Sequence, residues 1–273
     1  MRINQNIAAF NSYRNLSNTQ NQLSSSLEKL SSGFRINRAA DDAAGLSKSE
    51  GLRAEVKGTD QAVRNAQDGI SFVQTAEGGL NEVHSILQRM RELAVDAANT
   101  ATTDGSEQQA EVDELAEEID SIGTRTEFAG TDVFADFSTE ALTFHIGANS
   151  GESLDMNDDL QLMADGTGIL AGNNVDNVDL EDGADAAIDT IDSAIDAVSE
   201  TRSELGAKQN RLEHTIANLQ VASENLSASE SRIRDADMAQ EMVEFTRNQI
   251  MQQAGTSMLA QANQVPQSVL SLL

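Results

Sequence analysis

The side chains best suited to chemistry in this 273-residue chain are three histidines, His84, His145 and His214, and a carboxylate run, Asp176, Asp179, Glu181 and Asp182, that ends at Gly183. Imidazoles hold transition metals when they stand at fixed short spacings or join cysteine ligands, and carboxylates around a loop glycine hold calcium. Neither pattern is completed. The histidines are far apart, there is no HExxH and no cysteine, and placing Gly183 on the glycine of an EF-hand loop puts Val178 and Leu180 where ligands belong. Gly166-Thr167-Gly168 lacks the third glycine and the βαβ setting of a dinucleotide site, and no GxSxG elbow presents a serine. We therefore expect no catalytic residue, no cofactor and no metal site. The acidic loops read as solvated surface, open at most to loose cation binding.

The elements that would position any site are helical, because apolar residues recur at intervals of seven: Ile191, Val198, Leu205, Leu212, Leu219, Leu226 and Ile233. A period of seven held over six heptads keeps one stripe facing a partner helix. Ile188, Ile195 and Ile216 form part of a second row, but Arg202, Gln209, Ser223 and Glu230 interrupt it, so the stripe is narrow. With ~1.5 Å of rise per residue the run from 188 to 233 extends roughly 70 Å, which weighs against an ordinary helical bundle core. Leu16, Leu23, Leu27 and Leu30, and then Val73, Leu80 and Leu87 with Val83 and Met90, repeat the pattern in the N-terminal half. That half is the obvious antiparallel partner for the C-terminal seam. The expected fold is mostly α, a long antiparallel helical coiled-coil rod formed by N- and C-terminal segments.

Along the chain, residues 4–32 read as a polar helix ended by Gly33 in the left-handed region. A connector and a run of small residues around Arg38, Asp41 and Asp42 follow, where the charges can pair within or between subunits. A long helical stretch to about Asn99 is interrupted by Gly51, Gly58, Gly69, Gly78 and Gly79, and a third helix runs from about Ser106, its N-cap, to Thr124. Residues 141–147 and 152–156 flank a Gly-containing turn and predict a β-hairpin, the one convincing β-structure. Residues 165–183 read as loop and the heptad helix as starting near Ala184. A last helix from about Met238 to Ala262 stops at the Pro266 region, before an apolar tip of Val269, Leu270, Leu272 and Leu273.

Composition narrows the function classes. A chain with 39% hydrophobic but 3% aromatic residues, no Trp and no Cys is lean for one large core and has no disulfide framework. No cleavable signal and no membrane-length apolar stretch is visible, so by sequence address alone the chain reads as cytoplasmic. Net charge is −27, and between Asp104 and Glu200 there are 26 acidic residues against Arg125 alone, which leaves 19 acidic and 17 basic elsewhere. The ends are nearly neutral and can pack against copies, whereas the anionic middle must face solvent. Nucleic acid is excluded as a partner because no basic face exists to meet phosphates.

Several long blocks at both ends, in order, carry a resemblance. Leu30-Ser31-Ser32-Gly33-Phe34-Arg35-Ile36-Asn37, Asp41-Asp42-Ala43-Ala44-Gly45-Leu46, Arg64-Asn65-Ala66-Gln67-Asp68-Gly69-Ile70-Ser71 and Leu87 to Val95 stand at the start. Ser231-Arg232-Ile233-Arg234-Asp235-Ala236-Asp237 and Gln253 to Gln267 stand at the close. Together they resemble bacterial flagellin over roughly 1–134 and 184–273, in a short form without a large outer domain. The resemblance implies a structural subunit, not an enzyme, that polymerises into the helical flagellar filament used for swimming. It further implies inner-core terminal helices lining a tube at 1–42 and 234–273, and an outer-core rod at 43–233 with a hairpin and loop region at about 131–183.

From seam and resemblance together, the expected subunit-packing residues are Leu16, Leu23, Leu27, Leu30, Arg38, Asp41, Asp42, Leu205, Leu212, Leu219, Leu226, Ile233, Leu259, Val265 and Leu270. Arg89, Leu93 and Glu111 match positions that some flagellins offer to an innate immune receptor, while Asp96 and Glu114 replace common glutamines with charge. Implied partners are copies of the chain, a flagellar export chaperone, the filament cap and hook-filament junction proteins, with no nucleic acid and no membrane insertion. The implied location is extracellular, in the filament, reached by type III export without a cleaved signal. A hook-filament junction-type or other type III-secreted helical protein is the alternative, and an enzyme set in such a frame would need a constellation in 131–183 that is not visible.

Overall fold

The computed structural model describes residues 6–99, 105–134, 142–156 and 178–270, apart from the side chains of 181, 182 and 265–270. In chain order these form α1 (Ile7–Ser32), α2 (Ala43–Ala97), α3 (Ser106–Arg125), β1 (Glu127–Phe128), β2 (Thr131–Asp132), β3 (Thr143–His145), β4 (Ser153–Asp155), α4 (Leu180–Arg234) and α5 (Met238–Leu270). Two compact units result, one of Met1–Val56 with Glu224–Leu273 and the other of Lys57–Ser223.

The second unit holds the core. On α2 a stripe from Ala62 and Ala66 through Val73, Ala76, Leu80, Val83, Leu87, Met90, Ala94 and Ala97 is buried at steps of three and four, with Gly69 filling the one gap. On α4 the row Ile191, Val198, Leu205 and Leu212 is 0–1% exposed. The two helices run antiparallel, since Asp60 accepts a hydrogen bond from Ser223, Glu77 pairs with Arg202 and Arg91 with Asp192. The seam therefore meets α2. Its second row differs from the expected one: Ala187, Ala194 and Thr201 are buried, whereas Ile188, Ile195 and Ile216 pack at the margin. Small side chains in that row allow the backbones to approach, which a full isoleucine row would prevent.

The glycines of α2 do not break it. A Cβ on Gly58 would lie 3.1 Å from the Cβ of Ala148, one on Gly69 3.3 Å from Leu212, and one on Gly79 2.9 Å from the Phe134 ring. At these positions another segment lies against the helix backbone. The helix cost of glycine, about 1 kcal/mol each relative to Ala, is offset by that packing.

The β3–β4 hairpin forms where the alternation predicts it, with Phe144 opposite Leu154. Phe144 tilts against Phe72 at 5.7 Å between ring centres, and the Asn65 side chain donates to the His145 carbonyl. A second, tighter hairpin, β1–β2, was not expected from the sequence. Its turn residues Ala129 and Gly130 both take positive φ, at 53° and 82°, the geometry a two-residue hairpin requires, and Phe128 meets Phe72 edge-on.

Three helix ends also depart from the reading. Gly105, at φ 82°, occupies the N-cap of α3, and Ser106 is the first helical residue. Helix α4 starts at Leu180 and is kinked at Gly183. Its start is held by Gln109, which accepts from the Leu180 N–H and donates to the Val178 carbonyl, a pairing between distant segments that local pattern does not reveal. Helix α5 continues past Pro266 to Leu270.

Gly78 and Gly79 make a paired test. A Cβ at Gly78 meets nothing within 4 Å, so Gly78→Ala should stabilise by about 0.5–1 kcal/mol. Gly79→Ala should destabilise by about 1–2 kcal/mol, because Phe134 is 3% exposed and must be displaced. Thermal melting of the two variants beside the parent checks both signs.

Candidate subunit interface

The first unit is built from α1 packed on α5. Helix α1 begins at Asn6, whose side-chain oxygen accepts from the Ala9 N–H. It ends at Gly33, at φ 74°, whose N–H returns to the Lys29 carbonyl as the sequence predicts. The Asn6 amide also donates to the Ala262 carbonyl at 2.7 Å. Proline 266 has no N–H to give that carbonyl four residues back, so one asparagine caps α1 and satisfies the acceptor that lets α5 continue.

Between the helices the contact is mostly polar. Leu16 touches the bare backbone of Gly255 at 3.2 Å from where a Cβ would stand. Ser26, Glu241 and Asn248 are buried, and with Gln22, Lys29 and Arg247 they line a polar cleft. Ile36 is the one buried apolar residue of this unit among the described residues, at 3% exposure. Outward, Phe10 is 71% exposed, Ile250 61% and Met258 62%, with Ile7, Tyr13, Val243 and Met242 also open to solvent. On α5 Met242, Val243, Ile250 and Met258 spread over roughly 160° of the side turned away from Leu16 and Ser26, at about 100° per residue, and an apolar face that broad is built to be covered.

The unit is closed by a clasp at the ends of α1 and α4. The Arg35 N–H donates to the Arg234 carbonyl at 2.7 Å, the Ala236 N–H donates to the Gly33 carbonyl, and the Arg35 guanidinium reaches the Ile233 carbonyl. Arg234 is 9% exposed, lies over the Phe34 ring at 4.6 Å and donates to Glu50 at 2.7 Å, while its Nε is buried without a hydrogen-bond partner. Sequence reasoning missed this residue. The available signal was a second arginine in the last turn of a helix followed by a bend.

Beside the clasp the connector charges pair locally. Arg38 and Asn37 both donate to Glu28, at 2.6 Å each, and these contacts hold the Glu28 carboxyl below its ordinary range. The backbone N–H groups of Arg38 and Asn37 donate to Asp41 and lower its pKa in the same way. Asp42 accepts from the Gly45 N–H and so caps α2. Arg38 thus pairs with Glu28 rather than with the two aspartates.

Of the other expected packing residues, Leu23 and Leu30 on α1 are half-buried, Leu27 is 52% exposed, and Leu259 on α5 is half-buried. Leu219, Leu226 and Ile233 are half-buried on α4. Leu205 and Leu212 are buried in the second unit's own core and offer no outer surface. The side chains of Val265 and Leu270 lie outside the described residues, as do residues 166–168 and Asp176. Leu93 is 7% exposed and belongs to the core, so Arg89 and Glu111, joined at 2.8 Å, are what that region presents to solvent. Glu111, and then Glu92, raise the Arg89 pKa. His84 bonds Gln88, and among the described residues no cluster of His, Asp or Glu is placed to hold a metal ion.

Residues 3–139 match the bacterial flagellin N-terminal helical region and residues 188–273 the bacterial flagellin C-terminal helical region. The chain belongs to the bacterial flagellin family. It is 53% identical to a flagellin of Halalkalibacterium halodurans over 276 residues and 50% identical to a flagellin of Bacillus subtilis over 304, each alignment covering 100% of both chains. A solved structure assigned as a flagellar hook-associated protein of Vibrio parahaemolyticus shares the fold alone, with a TM-score of 0.59 at 16% identity over 71% of this chain and 100% of that one. Flagellins are structural proteins that self-assemble, and this chain is accordingly a subunit of the flagellar filament. The hook-filament junction alternative is not favoured. No helix among the described residues is long and apolar enough to cross a membrane.

Two outcomes follow from the clasp. Arg234→Lys removes the guanidinium plane from Phe34 and the fork from Glu50, and should cost about 1 kcal/mol because Glu50 is half-exposed. In assembled protein, amide exchange at Arg35 and Ala236 should rise about fivefold. For pH, depressed carboxyl pKa values mean that the Glu28 and Asp41 contacts stabilise fully above the unfolded values of about 4.3 and 3.9 and are lost as pH falls through the lower folded values. The amides of Asn37 and Arg38 should therefore open only below about pH 4, and Glu28→Gln with Asp41→Asn should abolish that acid step.

Proposed function

We propose that the α1–α5 pair is the assembly element of the subunit, completed only when copies of the chain cover α5. The carrying observation is the contrast between the single buried apolar residue of the first unit among the described residues, Ile36, and the exposed Phe10, Tyr13, Val243, Ile250 and Met258. Ordering the backbone costs about 1–2 kcal/mol per residue, and α1 and α5 are 26 and 33 residues long. A polar pair contact does not offset that. Covering one exposed Phe, Ile, Val or Met side chain contributes about 1.5–3 kcal/mol, so neighbours can supply what the pair lacks. Folding free energy then becomes assembly free energy.

Charge supports the same reading. Residues 248–273 carry no Asp, Glu, Lys or Arg, so copies of this segment can stack without repulsion, while the acidic middle favours solvent. On this basis 1–42 and 234–273 form the inner tube, and 43–233 with its hairpin region forms the surrounding rod. Contacts are heterologous and do not close, giving a helical polymer. Leu16, Leu23, Leu27, Leu30, Leu226, Ile233, Leu259, Val265 and Leu270 act as packing residues within the pair or between copies. Leu205 and Leu212 act only in the internal seam.

The remaining assignments belong to the same reading. The subunit has no catalytic activity, is exported by the type III route, and functions outside the cell in contact with an export chaperone, the filament cap and hook-filament junction proteins. For Arg89 and Glu111 we favour a role in packing over recognition by an innate immune receptor, since Leu93 is buried beneath them. Deleting 254–273 removes most of the uncharged part of α5. The truncated chain should remain in the supernatant in a sedimentation assay seeded with filament fragments, and filaments of normal length would overturn the proposal.

A further inference from the structure

Among the described residues the oxidisable side chains are unevenly placed. The chain has no cysteine and no tryptophan, and Tyr13 is its one tyrosine, so the methionine thioethers are what a two-electron oxidant meets. Met90 and Met156, in the second unit, are both 0% exposed. Met238, Met242, Met251 and Met258, all on α5, are 45, 47, 40 and 62% exposed. At roughly 100° per residue, Met238 and Met242 share one side of the helix while Met251 and Met258 face nearly the opposite way.

We propose that these four thioethers are a peroxide-modification site that is open on the unassembled subunit, closed in the polymer, and able to block addition of the subunit when oxidised. This rests on the reading above that copies cover α5. In each step the sulfur lone pair attacks one peroxide oxygen and the O–O bond breaks. The sulfur gains that oxygen and loses two electrons, and hydrogen peroxide leaves as water. The product sulfoxide is strongly polar, and burying it without a donor is unfavourable. Because the four sit on opposite sides of α5, no rotation of the helix turns all of them toward solvent when both sides are covered. Methionine sulfoxide reductases with a thiol reductant reverse the change.

The test treats free subunits and preformed filaments with hydrogen peroxide and follows each methionine by peptide mass spectrometry. The four α5 residues should oxidise at least tenfold faster in the free subunit, while Met90 and Met156 stay reduced in both and certify that the second unit remains folded. The critical concentration for elongating seeds should rise at least tenfold after oxidation and return after reductase treatment. A chain carrying Met238→Leu, Met242→Leu, Met251→Leu and Met258→Leu should elongate seeds in peroxide as it does without it. If those substitutions prevent assembly by themselves, reductase rescue of the parent chain decides. Equal oxidation rates in subunit and filament, or oxidised subunits that elongate at an unchanged critical concentration, would overturn the proposal. Untreated subunits that fail to elongate at all would instead overturn the assembly reading beneath it.

Discussion

The distribution of apolar burial governs this molecule. The second unit stacks Val73, Leu80, Leu87 and Met90 against Ile191, Val198, Leu205 and Leu212, each at or near zero exposure, and α3 and the hairpins complete that core. The first unit has long helices and, among the described residues, almost no buried apolar side chain. What it buries between them is Ser26, Glu241 and Asn248. Polar residues in a helix seam specify which register is allowed while contributing little to stability. The pair is thus defined in geometry and weak in isolation, which suits the role proposed for it, an element whose other faces identical neighbours would cover.

Local devices compensate where the core is absent. Asn6 serves both a helix start and the acceptor stranded by Pro266. Gly33 turns the end of α1 back so that its carbonyl takes the Ala236 N–H, and Arg234 joins Phe34 to Glu50 across the clasp. Each is a directional contact worth about 1 kcal/mol net, against the larger but non-directional apolar term that holds α2 to α4. Directional contacts determine where the ends lie. They do not make the ends stable on their own.

Periodicity was the most legible property of the sequence. The row from Ile191 to Leu212 and the stripe from Val73 to Leu87 could be read because coiled-coil packing repeats the same environment every seven residues. The second row was misread for a physical reason: Ile188 and Ile195 are more hydrophobic than Ala187 and Ala194, yet closely approaching helices select the small side chain. The glycines of α2 looked like interruptions because intrinsic propensity counts their helix cost and cannot see Ala148, Leu212 or Phe134 on the other side. Period alone does not give the partner of α1, since its leucines carry the same period as the seam but lie against α5, a helix with no strong period of its own. For the proposed interface the sequence offers the nearly neutral ends, and the exposed apolar residues come from the structure. Its pairing was not legible, because the Asn6 and Arg234 contacts join residues far apart in sequence.

The weakness of the first unit has a kinetic advantage on the proposed reading. Were α1 and α5 stably paired in the free subunit, the open surface from Phe10 to Met258 would be a fixed adhesive patch, free to join any other copy in any register. With ordering tied to attachment, off-lattice contacts must bear the entropy of fixing two helices without the full complement of neighbours, and only the growing end of a polymer offers that complement. The requirement also limits the second unit, whose strong core must fold without help and whose acidic surface repels its own copies. Affinity then resides in the uncharged ends and specificity in the polar seam. Growth becomes directional because a non-closing, heterologous contact always leaves one unsatisfied end.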